Sequence, residues 1–202
     1  MKIAILVEGR TEEIFLTHLR KFLMPHLNQM PALDPVPQGG RIPTHDKLRT
    51  LVLKLLSGSK PADHVIALTD VYTGKNPPDF RDAADAKAKM RLWVGVEPRF
   101  HPHVAQHDFE AWLLPYWPSI QALAGHNRAK PQGNPELVNH NNPPAHRIME
   151  IFRCGKKGSY VKTRDAARIL RDNDLSDAVA TCSELRALVN TIMTLAGGVS
   201  LR

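Results

Sequence analysis

Three strand-like runs end in acids. The run Ile3-Ala4-Ile5-Leu6-Val7 ends in Glu8, the run Val65-Ile66-Ala67-Leu68 leads through Thr69 into Asp70, and "RFHPHVAQHDFEAWLL" delivers Asp108 and Glu110 just past a third extended segment. In open α/β sheets ligands collect beyond the carboxyl ends of the strands, so side chains placed there by different strands converge. Glu8, Asp70 and Glu110 can then share a hard divalent cation. Mg²⁺ takes oxygen ligands and needs only one or two direct carboxylates when phosphate oxygens and water complete its shell. A cation so held activates water, orients a phosphodiester and offsets charge on the leaving oxygen. Cradling of a phosphate by bare backbone is disfavoured, because "EGRTEE" offers one glycine and three carboxylates where a phosphate loop needs glycines and N–H groups.

The same residues also make a plain helix start: Glu8 closes the strand, Gly9 turns, and Thr11 caps a helix with Glu12 and Glu13 in the first turn, where the dipole favours anions. Spacing alone leaves both readings open. Arg10, just after the turn, can reach a phosphate near a bound cation or stand as an exposed charge. His101 and His103 share one strand face and, with His107 and Asp108, offer donors for zinc. Pro102 disturbs that strand and no Cys pair accompanies it, so His107 reads better as a proton donor or phosphate contact beside the acids. No Gly-x-Ser-x-Gly elbow exists, and Cys154 and Cys182 carry neither a catalytic signature nor a disulfide pattern. Phe109, Trp112, Tyr116, Trp117 and Trp93 gather in the middle third, where core packing is the expected role.

These residues need a scaffold, and 202 residues at 43% hydrophobic suit one well-filled domain. The first apolar run shows no polar alternation, as expected of a parallel strand covered on both faces. A helix follows from Thr11, with Phe15, Leu19, Phe22 and Leu23 on one stripe and a stop near Pro25. The connector "MPALDPVPQGGRIP" admits one short irregular strand. Helical periodicity returns over residues 46–56, and a turn at Pro77-Pro78 leads to another helix over 80–93. Residues 100–106 read as a strand, followed by a short helix bearing Asp108 and Glu110. From Pro115 to Pro144 the texture is loop-rich, with residues 139–142 at its middle, and then "PPAHRIMEIF", "TRDAARIL" and "CSELRALVNTIMTLA" read as helices, the last closed by Gly197-Gly198. The expectation is an α/β fold: a mostly parallel sheet of about four strands flanked by helices. Residues 1–114 form its core, and 115–202 a loop-rich, then helical elaboration packed on it. No apolar run suits a signal peptide or a spanning helix, and two unpatterned thiols suit a reducing compartment, so a soluble cytoplasmic protein without membrane contact is expected.

The net charge is +7, and residues 151–171 concentrate it, with seven Lys and Arg against the single acid Asp165. Such a segment is the usual footprint of a polyanion such as nucleic acid, the alternative being a solvated helix face.

The ordered set "VEGRTEE", "LTDVY", "HDFEAWLL", "PPAHRIMEIF", "YVKT" and "CSELRALVNTIM" resembles a family of small bacterial TOPRIM-like proteins of unknown function, often encoded beside ATPases, over residues 2 to about 193. TOPRIM domains occur in primases, topoisomerases and overcoming-lysogenization-type nucleases. They hold Mg²⁺ through a glutamate after the first strand and an Asp-x-Asp after a later one, on a Rossmann-like sheet. The resemblance implies that Glu8 is that glutamate and Asp70 the first aspartate. Tyr72, a poor Mg²⁺ ligand, stands at the second. Glu12, one turn after Glu8, and Glu110 or Asp108 then make up the missing charge. The resulting expectation is a Mg²⁺- or Mn²⁺-dependent nuclease acting in bacterial defence with a separately encoded ATPase. Glu8, Asp70 and Glu110 would be catalytic; Glu8, Glu12, Asp70 and Glu110 would hold metal; Arg10, Lys156, Lys157, Lys162 and Arg164 would hold phosphates; Tyr72, His107 and Asp108 would assist. The competing expectation, favoured by Tyr72, is a non-catalytic nucleic-acid-binding or protein-interaction module with a degenerate metal site.

Overall fold

A computed structural model describes residues 1–72, 78–137 and 142–201; Pro77 of the Pro77-Pro78 turn and residues 139–141 of the asparagine-rich stretch lie outside them. β1 (Lys2–Val7), β2 (Ala32–Pro37), β3 (His64–Asp70) and β4 (Phe100–Ala105) form one sheet in the order β2-β1-β3-β4. Every pairing is parallel, so all four strands end on the same edge. The unbroken apolar runs are explained by cover on both faces. Ile3, Ile5 and Val7 of β1 and Ile66 and Leu68 of β3 point into one core cluster, while Ala4 and Leu6, Val65 and Ala67 point into the other. Prolines fall on the edge strands only: Pro35 and Pro37 in β2, Pro102 in β4. An edge strand can spare the donors that proline lacks, so Pro102 does not break β4.

The helices follow the apolar stripes, with corrections at their ends. α1 (Arg10–Leu23) starts at Gly9 as N-cap, not at Thr11, which is buried inside the first turn. Its cap comes from Glu12, whose carboxylate accepts the Gly9 N–H at 2.9 Å. Phe15, Leu16, Leu19 and Leu23 are buried, whereas Phe22 is only partly covered. α2 (His45–Ser57) and α3 (Ala83–Val94) cover the opposite face of the sheet. α3 begins later than the pattern suggests because the Asp82 side chain caps it, accepting the Asp85 N–H at 2.8 Å.

After β4 the chain makes a 3-10 turn at Phe109–Trp112 and then α4 (Trp117–Ala124), α5 (Pro144–Cys154), α6 (Lys162–Arg171), α7 (Ser176–Thr181) and α8 (Ser183–Leu195). The loop-rich reading of residues 115–143 missed α4, whose Pro118 sits harmlessly in the first turn. It also missed α7. The core cluster on the α1 side joins β1 and α1 to α4, α5, α6, α7 and α8. Phe109, Trp112, Tyr116 and Trp117 are buried in it as expected, and Phe15 meets Phe109 and Trp112 at ring distances of 5.5 and 5.1 Å. Trp93 is the exception, packed at the rim of the other cluster.

One buried acid fastens the start of α8 to the turn after β4. Glu136 accepts from Trp112 Nε1 at 3.3 Å, Ser183 Oγ at 2.9 Å and the Glu184 N–H at 3.0 Å. Replacing it with leucine leaves these donors without an acceptor, each worth about 1–3 kcal/mol when buried. Glu136→Leu should therefore lower unfolding free energy by about 3 kcal/mol or more in a urea titration, and Glu136→Gln, which keeps one acceptor oxygen, by clearly less.

Candidate active site

The parallel sheet delivers its strand ends to one edge, and hydrogen bonds then fix the acids there. Glu8, the residue after β1, leans across to β3: its Oε1 accepts the Asp70 N–H at 3.2 Å and the buried Thr69 hydroxyl. Asp70 is the last residue of β3. Beyond it the chain stays zipped to the β4 exit, with Val71 N–H donating to the Ala105 carbonyl at 3.1 Å and Tyr72 N–H to the His107 carbonyl at 2.6 Å. That zipper brings Asp108 and Glu110 alongside. Asp108 Oδ2 accepts the Ala145 N–H at the start of α5 at 3.1 Å, and its buried Oδ1 meets no donor among the described residues. Glu110 is fully buried; Tyr160 OH donates to its Oε1 at 3.2 Å, and Lys162 Nζ lies 3.1 Å from its Oε2.

These acids feel one another. Burial pushes the Asp70 carboxyl well above the usual range, and Glu8, Asp108, Glu110 and Glu12 push it further. Asp108 is raised to about 7, first by burial and then by Glu110, against the opposing pull of the Ala145 N–H and Lys162. Glu12 is raised by burial, with Glu8 and Glu110 adding to it, although the Gly9 N–H works the other way. Burial disfavours the Lys162 charge, yet Glu110, Asp70 and Asp108 outweigh it and hold its pKa up. Burial beside Glu110 keeps the Tyr160 phenol protonated.

Glu8, Asp70 and Glu110 thus come into one electrostatic cluster with Glu12 and Asp108. Among the described residues no three His, Cys, Asp or Glu side chains form a ready-made metal shell. Several of the carboxylate oxygens are already bonded. Glu8 and Glu12 each commit an oxygen to backbone N–H, and Glu110 commits both of its oxygens to Tyr160 and Lys162. The donor set is nevertheless all carboxylate oxygen, and Asp108 keeps a buried oxygen without a partner, which fits Mg²⁺ or Mn²⁺ rather than a softer metal.

Tyr72 stands at the rim, 37% exposed. The histidines offered for zinc serve separate contacts: His101 Nε2 lies 3.2 Å from His64 Nδ1, and His103 Nε2 lies 3.0 Å from Thr191 Oγ1. Burial drops the His103 pKa to about 3, keeping it neutral, while His107 is buried next to Asp108. The basic segment is divided too. Lys162 joins the acids, Arg164 forms two 2.8 Å contacts with buried Asp165, and Lys157 Nζ donates to the Ala122 carbonyl at 3.2 Å. Lys156 and Arg10 are exposed. Sequence reasoning did not place Tyr160 and Lys162 on Glu110. The available signal was "YVKT", since residues two apart in an extended segment face the same side.

The geometry defines an α/β protein with a cluster of carboxylates at the carboxyl edge of a parallel sheet. The chain belongs to the DUF4276 family, described as a domain of unknown function, whose model matches residues 7–193. Its fold is shared with the C-terminal region of the Burkholderia pseudomallei OLD protein, at 13% identity and a TM-score of 0.56, over 96% of this chain and 98% of that one. Among curated proteins none matches the chain.

A group whose folded pKa exceeds its unfolded value contributes stability that is complete at low pH and lost as pH rises through the folded value. For Asp108 that window runs from 3.8 to about 7. Asp108→Asn, which cannot ionise and keeps an oxygen for the Ala145 N–H, should melt higher than the parent at about pH 8. The difference should shrink steadily as calorimetric scans move to acid.

Proposed function

We propose that the protein is a TOPRIM-like, Mg²⁺- or Mn²⁺-dependent nuclease that cleaves phosphodiester bonds in nucleic acid. The observation that carries this reading is the set of acids, Glu8, Glu12, Asp70, Asp108 and Glu110, that crowd one strand edge, where burial and acidic neighbours raise the pKa of Asp70, Asp108 and Glu12, with Lys162 as counter-charge. Mutual repulsion among buried carboxylates is costly for a fold, and a divalent cation relieves it. The fold shared with the OLD C-terminal region supports the TOPRIM-like part of the reading. In this assignment residues 1–114 are the core and 115–202 an elaboration that reaches back with Ala145, Tyr160 and Lys162.

Glu8, Asp70 and Glu110, with Glu12 or Asp108, would hold the metal, which when bound supplies charge to activate water and offset the leaving oxygen. The chain's own residues do the rest. Thr69 and the Asp70 N–H fix the Glu8 carboxylate through its Oε1. Tyr160 and Lys162 hold the Glu110 carboxylate, and the Lys162 ammonium would stand beside a phosphate oxygen brought to the acids. Arg10 and Lys156 add exposed charge for the backbone, and His107 sits beside Asp108 to pass a proton. A cytoplasmic defence role with an ATPase partner belongs to the same proposal.

The second reading, a non-catalytic effector module, is favoured by Tyr72 at the second aspartate position of the TOPRIM pattern. Incubation with single-stranded and duplex DNA and RNA in Mg²⁺ or Mn²⁺ separates the two. Glu8→Ala and Asp70→Asn should each cut cleavage by more than about a hundredfold, beyond the loss typical of outer-shell partners. Cleavage that survives Glu8→Ala rejects the site, and binding without cleavage establishes the module. Independently, Mn²⁺ should raise the melting temperature of the parent, because a ligand that binds only the folded state stabilises it, and Asp70→Asn should blunt that rise.

A further inference from the structure

α5 begins at the acid cluster and carries a second constellation away from it. Ala145 donates to Asp108, and along the exposed side of the same helix follow Arg147, Glu150 and Arg153. Arg128, from the segment after α4, arrives on the same acid: its Nη2 lies 3.2 Å from Glu150 Oε2, and Arg147 Nη1 lies 3.8 Å from that oxygen. Two guanidiniums therefore share one carboxylate at the wall of a cleft of about 400 Å³, which Trp117 and Gln132 also line. A smaller cleft of about 250 Å³ continues past Glu150 to His146 and Arg153.

The arrangement is built, not a chance meeting of surface side chains. The Arg128 backbone is pinned on both sides, its carbonyl accepting from Trp117 Nε1 at 2.8 Å and Gln121 Nε2 at 2.9 Å and its N–H donating to His126 Nδ1 at 3.0 Å. Asn142, with its amide oxygen turned to Arg147, accepts from Nη1 at 2.9 Å. Arg147 Nε and Glu150 Oε2 are both buried without a hydrogen-bond partner among the described residues, so the arginines meet Glu150 as ion pairs. Arg128, Arg147 and Arg153 outnumber that one carboxylate, and the guanidinium fork suits phosphate.

We propose that the Arg128–Arg147–Glu150 cleft, continued by Arg153, seats backbone phosphates of a nucleic-acid strand that runs along α5 from the acid cluster. This rests on the reading of the protein as one that processes nucleic acid. Glu150 keeps the two arginines ordered and limits their repulsion while leaving net positive charge for the ligand. From Arg147 to Arg153 the helix advances about 9 Å, so the cations form a line and not a single anion nest. A line of cations selects a polymer over free phosphate.

The test is fluorescence anisotropy of a labelled single-stranded DNA oligonucleotide with the full chain in EDTA, so that binding is read without metal and without cleavage. Arg128→Gln and Arg153→Ala should each weaken affinity about three- to tenfold and lower the slope of log affinity against log salt by about 0.7. Lys54→Ala, on α2 across the sheet, should change neither, and melting curves should show all variants folded. Unchanged affinity and slope in both arginine variants overturn the proposal, as does absence of measurable binding by the parent. Displacement of the oligonucleotide by inorganic phosphate at equal phosphate concentration also overturns it, reducing the cleft to a simple anion site. Because the assay omits metal, binding that depends on the arginines in a protein that never cleaves would reject the nuclease chemistry and keep this cleft.

Discussion

The bond from the Asp70 N–H to the Glu8 carboxylate ties the end of β1 to the end of β3, and the rest of the acid cluster depends on it. Parallel pairing alone would leave two acids side by side, repelling. With Glu8 turned onto the backbone and the Thr69 hydroxyl, part of its charge is met by donors belonging to the neighbouring strand, and Asp70 can remain at the same edge. The Val71 and Tyr72 contacts with the β4 exit then carry the arrangement one strand further, to Asp108 and Glu110. Each step passes a carboxylate to the next strand and leaves a larger unbalanced field, which Lys162, the Thr69 and Tyr160 hydroxyls and backbone N–H groups oppose.

Much of this architecture was legible because burial on both faces of a parallel sheet leaves a plain mark: the uninterrupted runs in β1 and β3 were readable without ambiguity, and so was the acid that ends each. What escaped was what depends on distant partners. The cap of α1 reads as Thr11 from local preference, but Thr11 is drawn into the core and Glu12 caps through its side chain. α4 and α7 are short and flanked by prolines or polar residues, so tertiary packing against the aromatic cluster, not periodicity, makes them helical. The basic segment is the clearest case. Its charge count suggested one open phosphate-binding face, yet Asp165 and Glu110 each take cations from it. A count along the chain cannot see which acids those cations meet in space.

Tyr72 and Lys162 bear on the same question from opposite sides. Under the proposed TOPRIM assignment Tyr72 replaces an aspartate and leaves the rim one negative charge short, while an ammonium on Glu110 adds one positive charge inside it. Both features lower the anionic excess of the cluster. The buried Tyr160 phenol, bonded to the other oxygen of Glu110, holds that carboxylate in the orientation in which Lys162 meets it. Glu110 is therefore the acid whose surroundings differ most from those of Glu8, which is met by hydroxyl and backbone donors alone.

The contacts that finish the cleft span long stretches of chain: Asp108 to Ala145, and Glu110 to Tyr160 and Lys162. On a ribosome, Glu8, Asp70 and Glu110 emerge well before the residues that hold Asp108 and Glu110 in place. Until translation has passed Lys162, the acids exist without their clamp and without the ammonium that offsets them. Completion of the cleft is thus timed to late synthesis, and a nascent chain carries its carboxylates before it carries the means to set them.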